Sequence, residues 1–302
     1  MRVFVTGATG FIGMAVVREL VASGHQVLGL CRSDDKAAAL AAAGAEVHRG
    51  SLQDLESLRD GAARADGVIH LAFNHDFSTF AANCEDDRRV IAALGAPLAG
   101  STRPLVVTSG TGMASSVPGQ LATEDSAPVS AQVIPRAASE ETAMALAAAG
   151  VNVAVVRLPQ VHDTVRQGLV SYVIQVAREK GVVGYVGDGH HRWPAVHVLD
   201  AARLYRLALE KAHEKAEPGA IHHAVGEEGI TLKDMAEVIG ARIGLPARSI
   251  AADQAEAYFG WLAMFAAHDA PASSALTRRR LGWQPSGPGM LADLAQLELP
   301  AA

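Results

Sequence analysis

Through the first half of the 302-residue chain, short runs that are apolar at nearly every position alternate with longer stretches whose apolar residues recur at helical spacing. Runs without polar alternation predict strands buried on both faces, and helices between them predict a parallel sheet covered on both sides. Six strands are expected in order: Arg2 to Thr6, Gln26 to Cys31, Glu46 to Arg49, Gly67 to Leu71, Pro104 to Ser109 and Asn152 to Leu158. Between the first pairs, Phe11 to Ser23 stops at Gly24 and Ala37 to Ala43 stops at Gly44, where a glycine ends a helix without a steric penalty. Right-handed crossovers give a doubly wound α/β sheet.

Past Pro159 the rhythm changes, and glycine-bounded pieces such as Gly187-Asp-Gly-His-His-Arg-Trp-Pro194 interrupt shorter elements. This predicts two units. Residues 1–165 form the sheet domain, to which 195–225 return, and 166–194 with 226–302 form a smaller α+β lobe. In the lobe, Gly168 to Lys180 and Thr231 to Ile243 read as helices, the second opened by Thr231-x-x-Asp234 as a capping-box variant and closed before Leu245-Pro246. No internal repeat recurs, and only Ala301 and Ala302 look dispensable.

Composition narrows the function classes. With 49% hydrophobic residues the chain can build a sizeable core, and 19% charged residues with a net charge of −6 provide no basic field for nucleic acid or an anionic membrane. No apolar run is long enough to span a bilayer, and Met1-Arg2-Val3-Phe4-Val5 leads straight into a glycine turn, so a cytoplasmic protein is expected. Cys31 and Cys84 stand alone, without metal-ligand spacing, and read as small buried hydrophobes. The adjacent pairs His190-His191 and His222-His223 would point to opposite faces of a strand, so no metal site is expected.

The most informative segment is Thr6-Gly-Ala-Thr-Gly-Phe-Ile-Gly13, set between the first strand and the first helix. Gly7 permits a tight turn, Gly10 lets a pyrophosphate approach the backbone, and Gly13 lets helix pack on strand; the helix N-terminus adds amides and partial positive charge. That is a dinucleotide site on a Rossmann sheet. The second strand ends Leu30-Cys-Arg-Ser33, where an acid would favour a free ribose 2′-hydroxyl and a cation favours a 2′-phosphate. Arg32 and Ser33 therefore point to NADP(H), the alternative being that Arg32 is solvated beside Asp34 and Asp35.

These segments, with Val68-Ile-His-Leu-Ala72, Val106-Val-Thr-Ser109, Val196-His-Val-Leu-Asp200 and the late Leu281-Gly-Trp-Gln-Pro285, resemble the extended short-chain dehydrogenase/reductases, including the NAD-dependent epimerase/dehydratase group. The resemblance implies that Gly7, Thr9, Gly10, Phe11 and Ile12 meet the pyrophosphate, and Leu71 and Ala72 the adenosine and ribose. Thr108 and the Leu158-Pro159-Gln160-Val161 loop would stand near the nicotinamide, and Ser109 would face the reacting carbon. Ser51 and Leu52 occupy the third-strand position beside adenine, where the group usually carries an acid. Asn83 falls near an asparagine that supports the catalytic strand ends, or is an exposed helix residue.

One departure is chemical. The resemblance implies a Tyr-x-x-x-Lys pair that exchanges a proton with the substrate oxygen, yet Tyr172, Tyr185, Tyr205 and Tyr258 are followed four residues on by Val176, Gly189, Leu209 and Leu262. Arg136-Ala-Ala-Ser-Glu140 takes the motif's place. Arg136 can stabilise an oxyanion but is a poor proton donor, and Glu140 would orient it from one helical turn away, unless the two form only an exposed pair. The proton would then come from water, Tyr172 or His162, though Tyr172 can equally be core and His162 a loop cap. Asp188, His190, Arg192 and Trp193 are expected to close over the cofactor, Thr111 to hold the substrate oxygen with Ser109 and Arg136, and Phe73, Met113, Trp193 and Trp261 to favour a hydrophobic substrate. The expected function is an NADP(H)-dependent carbonyl reductase or alcohol dehydrogenase acting on a small ketone, aldehyde or alcohol. An NADP(H)-binding redox sensor and a nicotinamide-retaining epimerase or isomerase are the alternatives, and a homodimer is left open.

Overall fold

A computed structural model describes residues 1–114 and 119–298; Ala301 and Ala302 lie outside the described residues. The central sheet has seven parallel strands. They are β1 (Arg2–Thr6), β2 (Gln26–Cys31), β3 (Glu46–Arg49), β4 (Gly67–His70), β5 (Leu105–Gly110), β6 (Val153–Leu158) and β10 (Ala220–His223), in the order β3-β2-β1-β4-β5-β6-β10. Chain order reverses beside β1, so the carboxyl ends of β1 and β4 flank a crevice in which an open α/β sheet receives its ligand. Val3, Phe4 and Val5 are fully buried because helices cover both faces of β1, which is why the strand is apolar without alternation.

Three of the six expected strand spans, those of β1, β2 and β3, agree with the structure at both ends, and the other three, β4, β5 and β6, agree to within a residue at either end. Helix α1 (Phe11–Ala22) follows β1 through the glycine turn, and α2 (Asp34–Ala42) starts three residues earlier than the alanine run suggests because Ser33 takes the N-cap position. Next in the chain come α3 (Leu55–Ala63), α4 (Phe80–Gly95) and α5 (Ala138–Ala148). After β6 the chain forms β7 (Gln160–His162), α6 (Val170–Lys180), β8 (Val183–Val186) and β9 (Arg192–His197), then returns to the large sheet through α7 (Val198–Glu214) and β10. The remaining segment adds β11 (Glu227–Thr231), α8 (Leu232–Ile243) and β12 (Ala247–Ile250). Thr231 caps α8, its hydroxyl accepting from Asp234 N at 3.1 Å. Strands β11, β9 and β7 make one small sheet and β12 with β8 another, over a core of their own that includes Trp193, Phe259 and Met290.

Two of the sequence motifs serve this packing. Asp200, in the first turn of α7, accepts from Ser286 N and Gly287 N at 3.0 and 2.7 Å, while its carbonyl accepts from the indole of the fully buried Trp283 at 3.0 Å. The tail after Leu281 is thereby fastened to the helix between the lobes. Among the described residues, no helix is long and apolar enough to cross a membrane.

Candidate functional site

The crevice at the carboxyl ends of the strands opens into a cleft of about 970 Å³ between the large sheet and the smaller lobe. Gly7 turns the chain at φ +67°, and a Cβ there would stand 2.8 Å from Ala72 N. At Gly13 a Cβ would fall 1.9 Å from the Gly7 carbonyl, so only glycine lets α1 pack this closely on its own turn. Gly10 is the N-cap of α1 and has no side chain to cap it, which leaves the first-turn amides open toward the cleft. This cradle fits a diphosphate: amides and the positive helix end face a space that no protein atom closes.

All the positions expected for the cofactor line this cleft: Gly7, Thr9, Gly10, Phe11, Ile12, Arg32, Ser33, Ser51, Leu52, Leu71, Ala72, Thr108, Pro159 and Val161. At the end of the cleft beside β2, Arg32 is exposed and has no ion-pair partner among the described residues, while Asp34 is held by Arg49 at 2.5 Å. The Ser33 hydroxyl makes no capping bond to α2, and Lys36 joins the same wall.

Behind Ala72 runs a buried relay. Thr6 Oγ1 accepts from Leu71 N and Ala72 N at 3.2 and 3.3 Å, so its own hydrogen goes to His70 Nδ1 at 2.7 Å. His70 must then carry its hydrogen on Nε2, which donates to Asp87 at 2.9 Å. Burial opposes the charged form of Asp87, but His70, Arg136 and Ser139 more than offset it and hold the carboxyl below the usual carboxylate range.

That contact redefines the arginine at the tyrosine position. Arg136 does not pair with Glu140: it donates to Asp87 at 3.3 Å, to Ser139, and to the Thr108 carbonyl at 3.2 Å, with its guanidinium 4.1 Å above the Phe73 ring. Glu140 points into the protein. It is forked by the fully buried Arg157, whose Nε donates at 3.0 Å, and it accepts the Ser109 hydroxyl hydrogen at 2.9 Å. The helix turn expected to join Arg136 to Glu140 instead sends Arg136 to Asp87 on α4 and Thr108 on β5, and Glu140 to Arg157 on β6 and Ser109 on β5.

Ser109, Arg136, Phe73 and Tyr172 also line the cleft. Of the four tyrosines only Tyr172 reaches it. Tyr205 is buried against Thr108 Oγ1 at 2.7 Å, with its phenol pushed up by burial, and Tyr258 donates to the Val182 carbonyl at 2.5 Å. Eight other expected positions, Thr111, Met113, His162, Asp188, His190, Arg192, Trp193 and Trp261, do not line the cleft. Thr111 and Met113 lie in a 3-10 turn that carries the chain away after β5, with Thr111 buried. Trp193 alternates onto the core side of β9 and donates its indole N–H to the Phe265 carbonyl at 3.2 Å. His162 is fully buried in the small sheet, its Nδ1 2.7 Å from Asp293, and burial lowers its pKa against the pull of that carboxylate. Near Trp193, Arg192 is occupied by Asp269 at 2.8 Å and Asp188 by His190 at 3.1 Å.

The sequence reading missed the loop after β4. Asn83 is buried and orders it, donating to the Asp76 carbonyl at 2.8 Å and to Thr79 Oγ1 at 3.0 Å while accepting from Asn74 at 3.0 Å. The loop presents Asn74, His75 and Phe77 to the cleft. Burial first, and the Arg136 charge second, lower the His75 pKa. Phe77 stacks on Trp261 from the smaller lobe at 4.1 Å, and Tyr172 stands edge-on to both at 6.1 and 5.2 Å. A run of aromatic residues, Phe73, Phe77 and Phe80, was the signal available.

A doubly wound sheet with an uncapped glycine turn over a cleft at its strand ends defines a dinucleotide-binding protein of the extended short-chain dehydrogenase/reductase architecture. The chain belongs to the NAD-dependent epimerase/dehydratase family, whose profile matches residues 3–224. It is 48% identical over 296 residues to the uncharacterized protein C2A9.02 of Schizosaccharomyces pombe, covering 98% of each chain. It is 29% identical to a 2-alkyl-3-oxoalkanoate reductase of Stenotrophomonas maltophilia, over 82% of this chain and 77% of that one. Among solved structures, the dTDP-glucose 4,6-dehydratase DesIV of Streptomyces venezuelae with NAD and TYD bound has a TM-score of 0.76 at 22% identity, covering 98% and 95% of the two chains.

Proposed function

We propose that this chain is an NADP(H)-dependent oxidoreductase of the carbonyl reductase or alcohol dehydrogenase type, acting in the cytoplasm on a small hydrophobic ketone, aldehyde or alcohol. The observation that carries this reading is Arg32, free of any ion pair among the described residues, beside the uncommitted Ser33 hydroxyl and Lys36 at the adenosine end of the cleft. Two cations and a hydroxyl suit a ribose 2′-phosphate, which would repel the acid found in NAD-selective sites. The aromatic wall of Phe73, Phe77 and Tyr172 supports an apolar substrate over a nucleotide-sugar. The Stenotrophomonas reductase is a relative of the same reaction class. The two free, buried cysteines fit a reducing compartment.

Bound at this cradle, NADPH would supply a hydride to the carbonyl carbon. The protein's part is to hold the carbonyl and protonate its oxygen. Ser109 gives its hydrogen to Glu140, so toward the cleft its oxygen offers an acceptor, suited to the alcohol form of the substrate. Arg136 places positive charge in the cleft wall while Asp87 and the Thr108 carbonyl fix its plane, a preorganised counter-charge for a developing alkoxide. Tyr172 is the cleft phenol and the proton donor in this reading; His75 is the other group there able to exchange a proton.

A redox-sensing role is the second reading, favoured by Arg136 and Glu140 both being consumed in ion pairs within the fold. One assay separates the two. Protein mixed with NADPH or NADH and a panel of ketones, aldehydes and activated alkenes is followed at the nicotinamide absorbance. Turnover with NADPH favoured is the expected result, tight NADPH binding without turnover supports the sensor, and conversion of nucleotide-sugars without net oxidation or reduction would support an epimerase.

A further inference from the structure

We infer that Arg166 is a cofactor-binding residue, closing on the diphosphate from the smaller lobe, opposite the first turn of α1. The inference rests on the cleft being a dinucleotide site and is independent of the choice between NADP and NAD. Among the described residues, four cationic side chains line the cleft: Arg32, Lys36, Arg136 and Arg166. Arg32 and Lys36 follow β2 at the adenosine end, and Arg136 is engaged by Asp87 and the Thr108 carbonyl. That leaves Arg166 for the diphosphate. Its guanidinium carbon is 6.0 Å from the ring centre of Phe11, the first residue of α1, where the amides are open.

The backbone that presents Arg166 is pinned while its side chain is not. Asp163 Oδ1 accepts from Val165 N and Arg166 N, each at 2.7 Å, and the Arg166 carbonyl accepts from Asp163 N at 2.8 Å. Gln167 Nε2 donates to the Asp163 carbonyl at 2.9 Å. Gly168 then turns at φ +57°, and Gln160 Oε1 accepts from Leu169 N at 2.8 Å. The guanidinium itself has no hydrogen bond or ion pair among the described residues, so a rigid loop holds an uncompensated cation at the mouth of an anion cradle. Amides and a helix end supply only partial charge to a dianion, and a full cation on the opposite side makes charge-assisted bonds that they cannot.

The test uses the full chain and its Arg166→Ala, Arg166→Gln, Arg166→Lys and Arg32→Ala variants, with dissociation constants measured calorimetrically for NADPH, NADH and adenosine 2′-monophosphate. Arg166→Ala and Arg166→Gln are expected to weaken NADPH and NADH alike, by about tenfold, and to leave adenosine 2′-monophosphate, which has no diphosphate, unchanged. Arg166→Lys should keep part of the affinity. Arg32→Ala should show the complementary pattern if the NADP reading holds, weakening NADPH and adenosine 2′-monophosphate but not NADH. Unchanged dinucleotide affinity in Arg166→Ala and Arg166→Gln overturns the inference, as does an equal loss for adenosine 2′-monophosphate, whatever Arg32→Ala does.

Discussion

Ser109 and Glu140 are joined by a hydrogen bond of 2.9 Å in which the serine donates, and the acceptor oxygen is the one that also receives Arg157 Nε. The acid at the position expected for a catalytic lysine is thus one end of a fully buried ion pair between α5 and β6. Taking one partner from such a pair leaves a buried charge without compensation, which costs about 3–5 kcal/mol, whereas replacing both by apolar residues costs far less. Arg157→Leu should therefore unfold at much lower urea concentration than the parent, and Arg157→Leu with Glu140→Leu should recover much of the difference. Additive losses in the double variant would show that the two side chains do not act as a pair.

Arg32 sets the cofactor preference if its charge meets a 2′-phosphate. Arg32→Asp should invert the ratio of kcat/KM for NADPH to that for NADH, because the carboxylate repels phosphate and accepts from a free ribose hydroxyl. The residue is exposed, so the fold should tolerate the change. A ratio that stays the same would remove the ground for calling the protein NADP-dependent.

His222 should make the fold acid-sensitive. Burial, with help from the Arg280 charge, lowers its pKa from 6.5 to about 4, and its Nδ1 has no hydrogen-bond partner among the described residues. The unfolded chain then binds a proton that the folded chain refuses, so stability is full above pH 6.5 and falls as pH drops toward 4. At about 1.4 kcal/mol per pKa unit the loss is on the order of 3 kcal/mol. His222→Leu should flatten that part of the stability curve, measured as urea midpoints between pH 7 and pH 4. An identical slope in parent and variant would assign the acid sensitivity elsewhere.

What the sequence disclosed and what it hid divide along a physical line. The β1–α1 unit was legible because glycine spacing and an unbroken apolar run are local consequences of close packing. Glu140 and Arg157 are 17 residues apart and become partners only when α5 lies on β6, which no periodicity announces. Trp193 was read toward the cleft because an aromatic beside polar residues suits a ligand, but its side of β9 is decided by pairing with β7 and β11. His75, Phe77 and Arg166 sit in loops, and their roles arise from the approach of two lobes distant in sequence. Arg136 was located and its partner was not, since Asp87 lies on α4, 49 residues earlier.

Tyr172 offers the sharpest test of the chemistry. Its ring is held edge-on to Phe77 and Trp261, so phenylalanine preserves the packing and removes only the hydroxyl. Should that hydroxyl protonate the substrate oxygen, Tyr172→Phe should lower kcat by roughly a hundredfold or more, the span of general acid catalysis, with NADPH affinity unchanged. Ser109→Ala should act differently, since an acceptor that positions the alcohol form affects oxidation of the alcohol more than reduction of the ketone. His75→Asn is the control that decides between routes. Burial and the Arg136 charge keep its imidazole neutral at pH 7, so it would serve as a base for the alcohol more readily than as an acid for the ketone. If Tyr172→Phe keeps its kcat and His75→Asn loses it, the proton passes through the imidazole, and the pH optimum for alcohol oxidation should lie above the lowered imidazole pKa.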